Sequence, residues 1–216
     1  IARICERLEN IDMSSLFRSL HLDRRLVTSP DSKPGDYAGI TSYIWPGIGF
    51  GGSCFPKDVS AIVNFGNEIG SATPLLQSVL HINNEQPKHL VERFLELYPS
   101  SETTVLGLAF KPGTDDVRES KSLEIIDLLL SRGLKVTVYD PVVTLDDERE
   151  GLSQESDFMR LISESDSIII ATAWEEFRTK LVLDLLAERQ PAILDCRLHL
   201  IANSGVLRRY CAPGIG

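Results

Sequence analysis

Cysteine is scarce in this chain and never closely paired: Cys5, Cys54, Cys196 and Cys211 form no CxxC motif and have no neighbouring histidine ligands. Such spacing indicates neither a zinc site nor a disulfide framework; no metal is expected, and a reducing, cytoplasmic setting fits best. Long hydrophobic runs are also missing. Stretches such as "DLLL" and "SIIIAT" are far short of the roughly 20 residues needed to cross a bilayer, and no signal-peptide pattern is read at the start, so no membrane partner is expected. Basic residues are outnumbered, 22 Lys and Arg against 31 Asp and Glu, for a net charge of -9. That balance excludes the broad cationic surface that tracks nucleic acid, while leaving room for a small anionic ligand at a local basic site. The candidates for such a site are Arg24, Arg25, Lys57, Lys111, Arg118 and Arg197.

What is present is enough chain, 216 residues, for one large domain or two small ones. It opens on Ile1-Ala2-Arg3 within a helical pattern and is read as part of a longer protein. Ile4, Leu8, Ile11, Leu16 and Leu20 recur at roughly helical spacing and predict a pair of helices with a break near Asn10-Ile11-Asp12. A loop-like stretch, "TSPDSKPGDYAG", leads to the glycine-rich "GIGFGGSCFPKD" of 47–58. After Pro56 the helical period returns, and a second helix is predicted from Pro74 to Leu97. At "TTVLGLAF" the period changes to that of buried strands: Val105 to Ala109, "KVTVYDP", "SIIIAT" and "AILDC", separated by helices. The fold class is therefore α/β: a helical region over 1–98, then a Rossmann-like domain over 99–216 built on a parallel, doubly wound sheet. Ligands of such sheets sit beyond the carboxyl ends of the strands, here 110–118, Asp140, 172–174 and 195–197. The helical region carries more apolar surface than so small a unit can cover, which predicts a homodimer.

The glycine-rich loop carries the chemistry. Gly49, Gly51 and Gly52 remove side chains around Cys54 and admit a ligand to the backbone, while Pro56 suits a first helical turn. A cysteine at a helix N-terminus, with Lys57 nearby, is in a setting that favours thiolate and hence a nucleophile. The alternative is a small buried core residue, which describes Cys5 and Cys196 better than a cysteine framed by glycines and charges. The plainer and weaker reading of Lys57 and Asp58 is a charged first turn.

"GFGGSCFPKD", together with "GLAFKPGTDDVRES" over 107–120, "HLDRRL" before the loop and "DCR" near the C-terminus, resembles the UDP-glucose/GDP-mannose dehydrogenase family across nearly the whole chain. The resemblance implies the central dimerisation region and the C-terminal UDP-sugar-binding domain of an NAD-dependent enzyme that oxidises a sugar C6 alcohol to a carboxylate. It gives Cys54 the role of covalent nucleophile and Asp58 that of positioning or deprotonating water. It assigns Lys57 and Arg118 to the cofactor, and Arg25, Tyr43, Phe50, Gly51, Phe55, Phe110, Lys111 and Arg197 to the substrate, Arg25 from across the dimer interface. Asp115, Asp116 and Glu119 are read as shaping a turn and capping the next helix. Asp140 would bind an NAD ribose in a true Rossmann domain, but "GLAFKPG" lacks the GxGxxG spacing, so this sheet is not read as the NAD site.

Three features depart from the family pattern: a long "VTSPDSKPGDYAG", Trp45 in place of a polar residue, and Cys196 in place of glycine. The family's general-base region and its lysine and asparagine are expected upstream of Ile1. The competing function is a nucleotide-sugar-binding or regulatory module without turnover, against which the intact Cys54, Lys57 and Asp58 argue. A cysteine hydrolase lacks a partner among His21, His81, His89 and His199.

Overall fold

The computed structural model describes residues 1–8, 11–23 and 44–215. Helices α1 (Ala2–Cys5) and α2 (Met13–His21) open the chain. The Asp12 carboxylate accepts from the Ser15 backbone N–H at 3.2 Å, the bond an N-cap makes to satisfy an orphan donor. Trp45 packs α2 to the body by stacking near Phe17, 6.0 Å between ring centres, and meeting His21 edge-on at 5.0 Å. Helix α3 (Phe55–Glu68) carries Pro56 in its first turn, where a missing N–H leaves nothing unsatisfied. Helix α4 (Pro74–Leu97) has the bounds its apolar spacing predicts and continues through Pro87.

Six strands follow: β1 (Glu102–Leu106), β2 (Lys135–Tyr139), β3 (Leu152–Gln154), β4 (Ser167–Ile170), β5 (Ala192–Asp195) and β6 (Tyr210–Cys211). They form one sheet in the order β3-β2-β1-β4-β5-β6, with every pair parallel. The order reverses between β1 and β4, and this switch point opens a crevice at the carboxyl edge. Helices α5 (Lys121–Ser131), α6 (Phe158–Glu164) and α7 (Lys180–Arg189) lie where the sequence places them. Strands β4 and β5 are buried throughout, as expected of strands covered on both faces.

One strand differs from expectation. The apolar run over 105–109 is buried throughout, but β1 ends at Leu106 because Gly107 turns the chain at φ +91°. A Cβ at Gly107 would collide with Thr172, so the turn requires glycine.

The sheet has a core on each face. Leu90, Val91 and Phe94 of α4 pack with Ile125, Ile126 and Leu129 of α5 over Val105, Val138 and Ile169. Phe158, Ile162, Phe177, Val182 and Leu186 cover Leu106, Ile168, Ile170 and Ile193 from the other side. The second half of α4 is thus part of the sheet's own core. A buried ion cluster fastens the periphery to the same helix. The Glu6 carboxylate meets His89 Nε2 at 2.8 Å and Arg93 Nη1 at 3.4 Å, and accepts from the Gly214 N–H at 2.9 Å. Among the described residues no helix is long and apolar enough to cross a membrane.

Candidate active site

The glycine loop lies along the carboxyl edge of the sheet, and nearly every residue of it is held. The Ile48 N–H donates to the Cys196 carbonyl at 3.1 Å, and Ile48 itself is fully buried. The Gly49 carbonyl accepts from Arg197 Nη1 at 3.2 Å. Phe50 exchanges two bonds with the Asn83 side chain, its N–H donating at 2.7 Å and its carbonyl accepting at 3.1 Å. The Gly52 N–H donates to the Arg118 carbonyl at 3.1 Å. Two glycines are needed for close approach: a Cβ on Gly51 would collide with the Glu119 carbonyl, and one on Gly52 would lie 2.8 Å from the Phe110 ring. Gly52 also sits at φ +83°, where a Cβ is strained whatever the space.

This strapping delivers Cys54 to the N-cap position of α3, where it is exposed. The residue stands at the positive end of a helix of 14 residues, its side chain making no cap bond and lying 3.8 Å from Ser53 Oγ. Arg118 lies within electrostatic reach of it. The other three cysteines are buried; burial pushes the Cys196 thiol far up and the Cys211 thiol to about 11. Cys54 is therefore the one cysteine of the four presented to solvent.

The β1–α5 loop supplies the facing wall. Lys111 Nζ stands 5.3 Å from the centre of the Phe110 ring. Arg118 donates Nε and Nη2 to the Asp116 carboxylate at 2.9 and 2.8 Å, and that bidentate bond holds the Asp116 carboxyl down at about 2. The cap of α5 is Ser120, whose Oγ accepts from the Ser122 N–H at 3.3 Å, so the acidic residues expected to cap it do not. Asp116 fastens Arg118, and Glu119 takes a left-handed backbone, φ +52°, that brings its carbonyl onto Gly51.

Asp140 is buried and fully engaged. One oxygen accepts from the N–H groups of Leu108 and Ala109 and from Trp174 Nε1, and the other from the N–H groups of Val142 and Val143. Five donors leave it nothing to offer a ribose, in keeping with the missing GxGxxG spacing. Asp195 does the same at the end of β5, accepting from the N–H groups of Arg197 and Leu200 at 3.1 and 2.6 Å and from the Tyr210 hydroxyl at 2.8 Å. It thereby sets the turn carrying Arg197, whose Nε donates to the Ala171 carbonyl at 2.9 Å. Burial lowers the Arg197 pKa, yet a guanidinium keeps its charge.

Cys54, Phe110, Lys111, Arg118 and Arg197 thus meet around one loop. Phe50 and Phe55 pack edge-on, 6.1 Å between ring centres, on either side of Cys54 in the chain. Lys57 and Asp58 pair with each other at 3.1 Å on the exposed first turn of α3. Arg25 and Tyr43 lie outside the described residues. Among the described residues no group of three or more His, Cys, Asp or Glu could hold a metal ion. Sequence reasoning missed Asn83 and Gln86. The available signal was two amides, three residues apart, on the buried side of a helix otherwise lined there by Leu90 and Phe94.

Fold and site together define a class: a doubly wound parallel sheet whose carboxyl edge seats a glycine-framed, helix-capping cysteine from a preceding helical segment. Models of the central domain and of the UDP-binding domain of the UDP-glucose/GDP-mannose dehydrogenase family match residues 1–85 and 104–201 respectively, and the chain belongs to this family. The UDP-glucose 6-dehydrogenase AglM of Haloferax volcanii is 31% identical over 211 residues, which are 95% of this chain and 45% of AglM. TuaD of Bacillus subtilis, also a UDP-glucose 6-dehydrogenase, is 33% identical over 204 residues, 91% of this chain and 41% of TuaD. A solved UDP-glucose dehydrogenase structure from the archaeon Pyrobaculum islandicum matches with a TM-score of 0.75 at 30% identity, covering 99% of this chain and 45% of that one. The chain spans less than half the length of these relatives.

Proposed function

We propose that this chain is the dimerisation and substrate-binding part of an NAD-dependent UDP-glucose 6-dehydrogenase that forms the uronate through a covalent adduct on Cys54. The observation that carries the reading is the single exposed cysteine at the N-cap position of α3, on a loop strapped to the sheet of the domain that matches the family's UDP-binding domain model. NAD, when bound, would supply the hydride acceptor. The exposed cations Lys57 and Arg118, close to Cys54 in chain and in space, fit the phosphates of such a group, whereas the saturated Asp140 does not fit its ribose.

The chain's own part is nucleophilic. A first loss of hydride and proton takes the C6 alcohol to the aldehyde; the Cys54 sulfur then adds to its carbonyl carbon, and the resulting alkoxide takes a proton to give a thiohemiacetal. Loss of the C6 hydride and the hydroxyl proton leaves a thioester. Water then attacks that carbon, the C–S bond breaks, and Cys54 regains its thiolate as the carboxylate leaves. Asp58, one helical turn after Cys54 in the chain, would take the proton from water. Phe110, Lys111 and Arg197 form the substrate-side wall, with Phe50, Gly51 and Phe55 on the loop itself; Arg25 and Tyr43 complete the proposed substrate set. The exposed apolar side chains Ile62 and Phe65 of α3, Ile69 just after it, and Leu75 and Ile82 of α4 support a homodimer through the helical region. Four free cysteines suit a cytoplasmic setting.

The test is Cys54→Ala in the complete enzyme. Uronate formation should fall on the order of 10⁴-fold while UDP-glucose affinity stays nearly unchanged. Uronate production at a near-normal rate would remove the covalent mechanism and leave the loop as a binding element.

A further inference from the structure

The loop that carries Cys54 is tied on its inner side by two amides of α4, Asn83 and Gln86, neither of which reaches the sulfur. Asn83 is buried, and its side chain replaces a neighbouring strand: Oδ1 accepts the Phe50 N–H at 2.7 Å and Nδ2 donates to the Phe50 carbonyl at 3.1 Å. This reciprocal pair fixes the amide's orientation, because a flipped side chain would set donor against donor. One turn on, Gln86 Nε2 donates to the Gly47 carbonyl at 3.1 Å. Its oxygen is claimed by Arg3, whose Nη2 and Nε donate at 2.8 and 3.2 Å, so the Gln86 amide is oriented as well.

The helix and loop are shaped for this contact. Pro87 has no N–H to give the Asn83 carbonyl, its partner four residues back, and Gly49 packs against that place: a Cβ on Gly49 would lie 3.4 Å from the carbonyl oxygen and 2.6 Å from Oδ1. A glycine and a helical proline are thus accounted for by one packing contact. We infer that Asn83, seconded by Gln86, is a positioning residue that holds the Phe50 backbone and so fixes where Cys54 caps α3. The kinetic part of this inference rests on the dehydrogenase reading; the structural part does not.

The experiment compares Asn83→Leu, which loses both bonds, and Asn83→Asp, which keeps only the acceptor. Hydrogen exchange followed by mass spectrometry on this chain should show the peptide over 47–53 exchanging about tenfold faster or more in Asn83→Leu, as the loss of one or two hydrogen bonds implies. Asn83→Asp should fall between it and the unmodified chain, and peptides from β1, β4 and β5 should be unchanged. In the complete enzyme, Asn83→Leu should lower kcat about 10- to 100-fold with KM within about threefold, the split expected when the reacting group rather than substrate binding is displaced. Unchanged loop exchange, or acceleration spread equally over the strands, would overturn the inference. Faster loop exchange with unchanged kcat would overturn it too. If the unmodified enzyme does not oxidise UDP-glucose, the functional reading fails alone, and the exchange comparison still decides the role of Asn83.

Discussion

The two halves of α4 carry similar apolar side chains and meet opposite fates. Leu90, Val91 and Phe94 are fully buried against α5 and the sheet, whereas Leu75 is 75% exposed and Ile82 55%. Helical spacing makes an apolar stripe in both halves; the difference lies in what the rest of the chain brings to it. The second half is met by the strands that follow it. The first half runs alongside α3, whose Ile62 and Phe65 are bare as well, as is Ile69 just after it. Amphipathic pattern reports that a face should be covered. It does not report by which chain.

The sharpest way to break this comparison is Phe94→Ala. If the second half is core, unfolding by denaturant should show a loss of about 3–5 kcal/mol. A loss below about 1 kcal/mol would place Phe94 in a site that collapses freely and would blur the contrast. On the bare half, Ile62→Ser with Phe65→Ser should change the stability of the isolated monomer by no more than about 0.5 kcal/mol. Sedimentation should nevertheless show dimer dissociation weakened at least tenfold in concentration terms, roughly the effect of 1.4 kcal/mol. A chain that is already monomeric at micromolar concentration would show that the stripe is not a dimer face.

The smallest effect concerns acid. Because Arg118 holds Asp116 at about 2, below the roughly 3.9 of an unfolded aspartate, the pair's contribution is complete above pH ~4 and fades as the pH falls toward 2. The pair is solvent-exposed and screened, so the change in stability should be slight. Carboxyl NMR resonances should place the Asp116 midpoint near 2; a midpoint near 4 would mean that Arg118 swings free of it.

The sequence made much of this legible where a pattern was long. The bounds of α4, the presence of the four longer strands and the cysteine loop follow from periodicity, from glycine and proline placement, and from the family motifs. Strands β3 and β6, of three and two residues, are too short to show a period, and β1 was misplaced because burial continues past Gly107 although the ladder does not. Asp140 and Asp195 look like ligand residues by position, and only the five and three donors around them show that they hold the protein itself together. Asn83 escaped notice because a polar residue in a helix acquires meaning only from its partner 33 positions away.

The strapped loop also bears on covalent ligand design. Since the main chain from Ile48 to Gly52 is held from the sheet side and from α4, and Gly51 and Gly52 have no room to recede, an electrophile cannot make space by pushing the backbone inward. Selectivity for Cys54 over the three buried thiols then comes from the direction of approach, from solvent along the first turn of α3, rather than from intrinsic warhead reactivity. A compact, weakly reactive electrophile carrying an anionic tail toward Arg118 would use that geometry, and a bulky one that needs the loop to open would not.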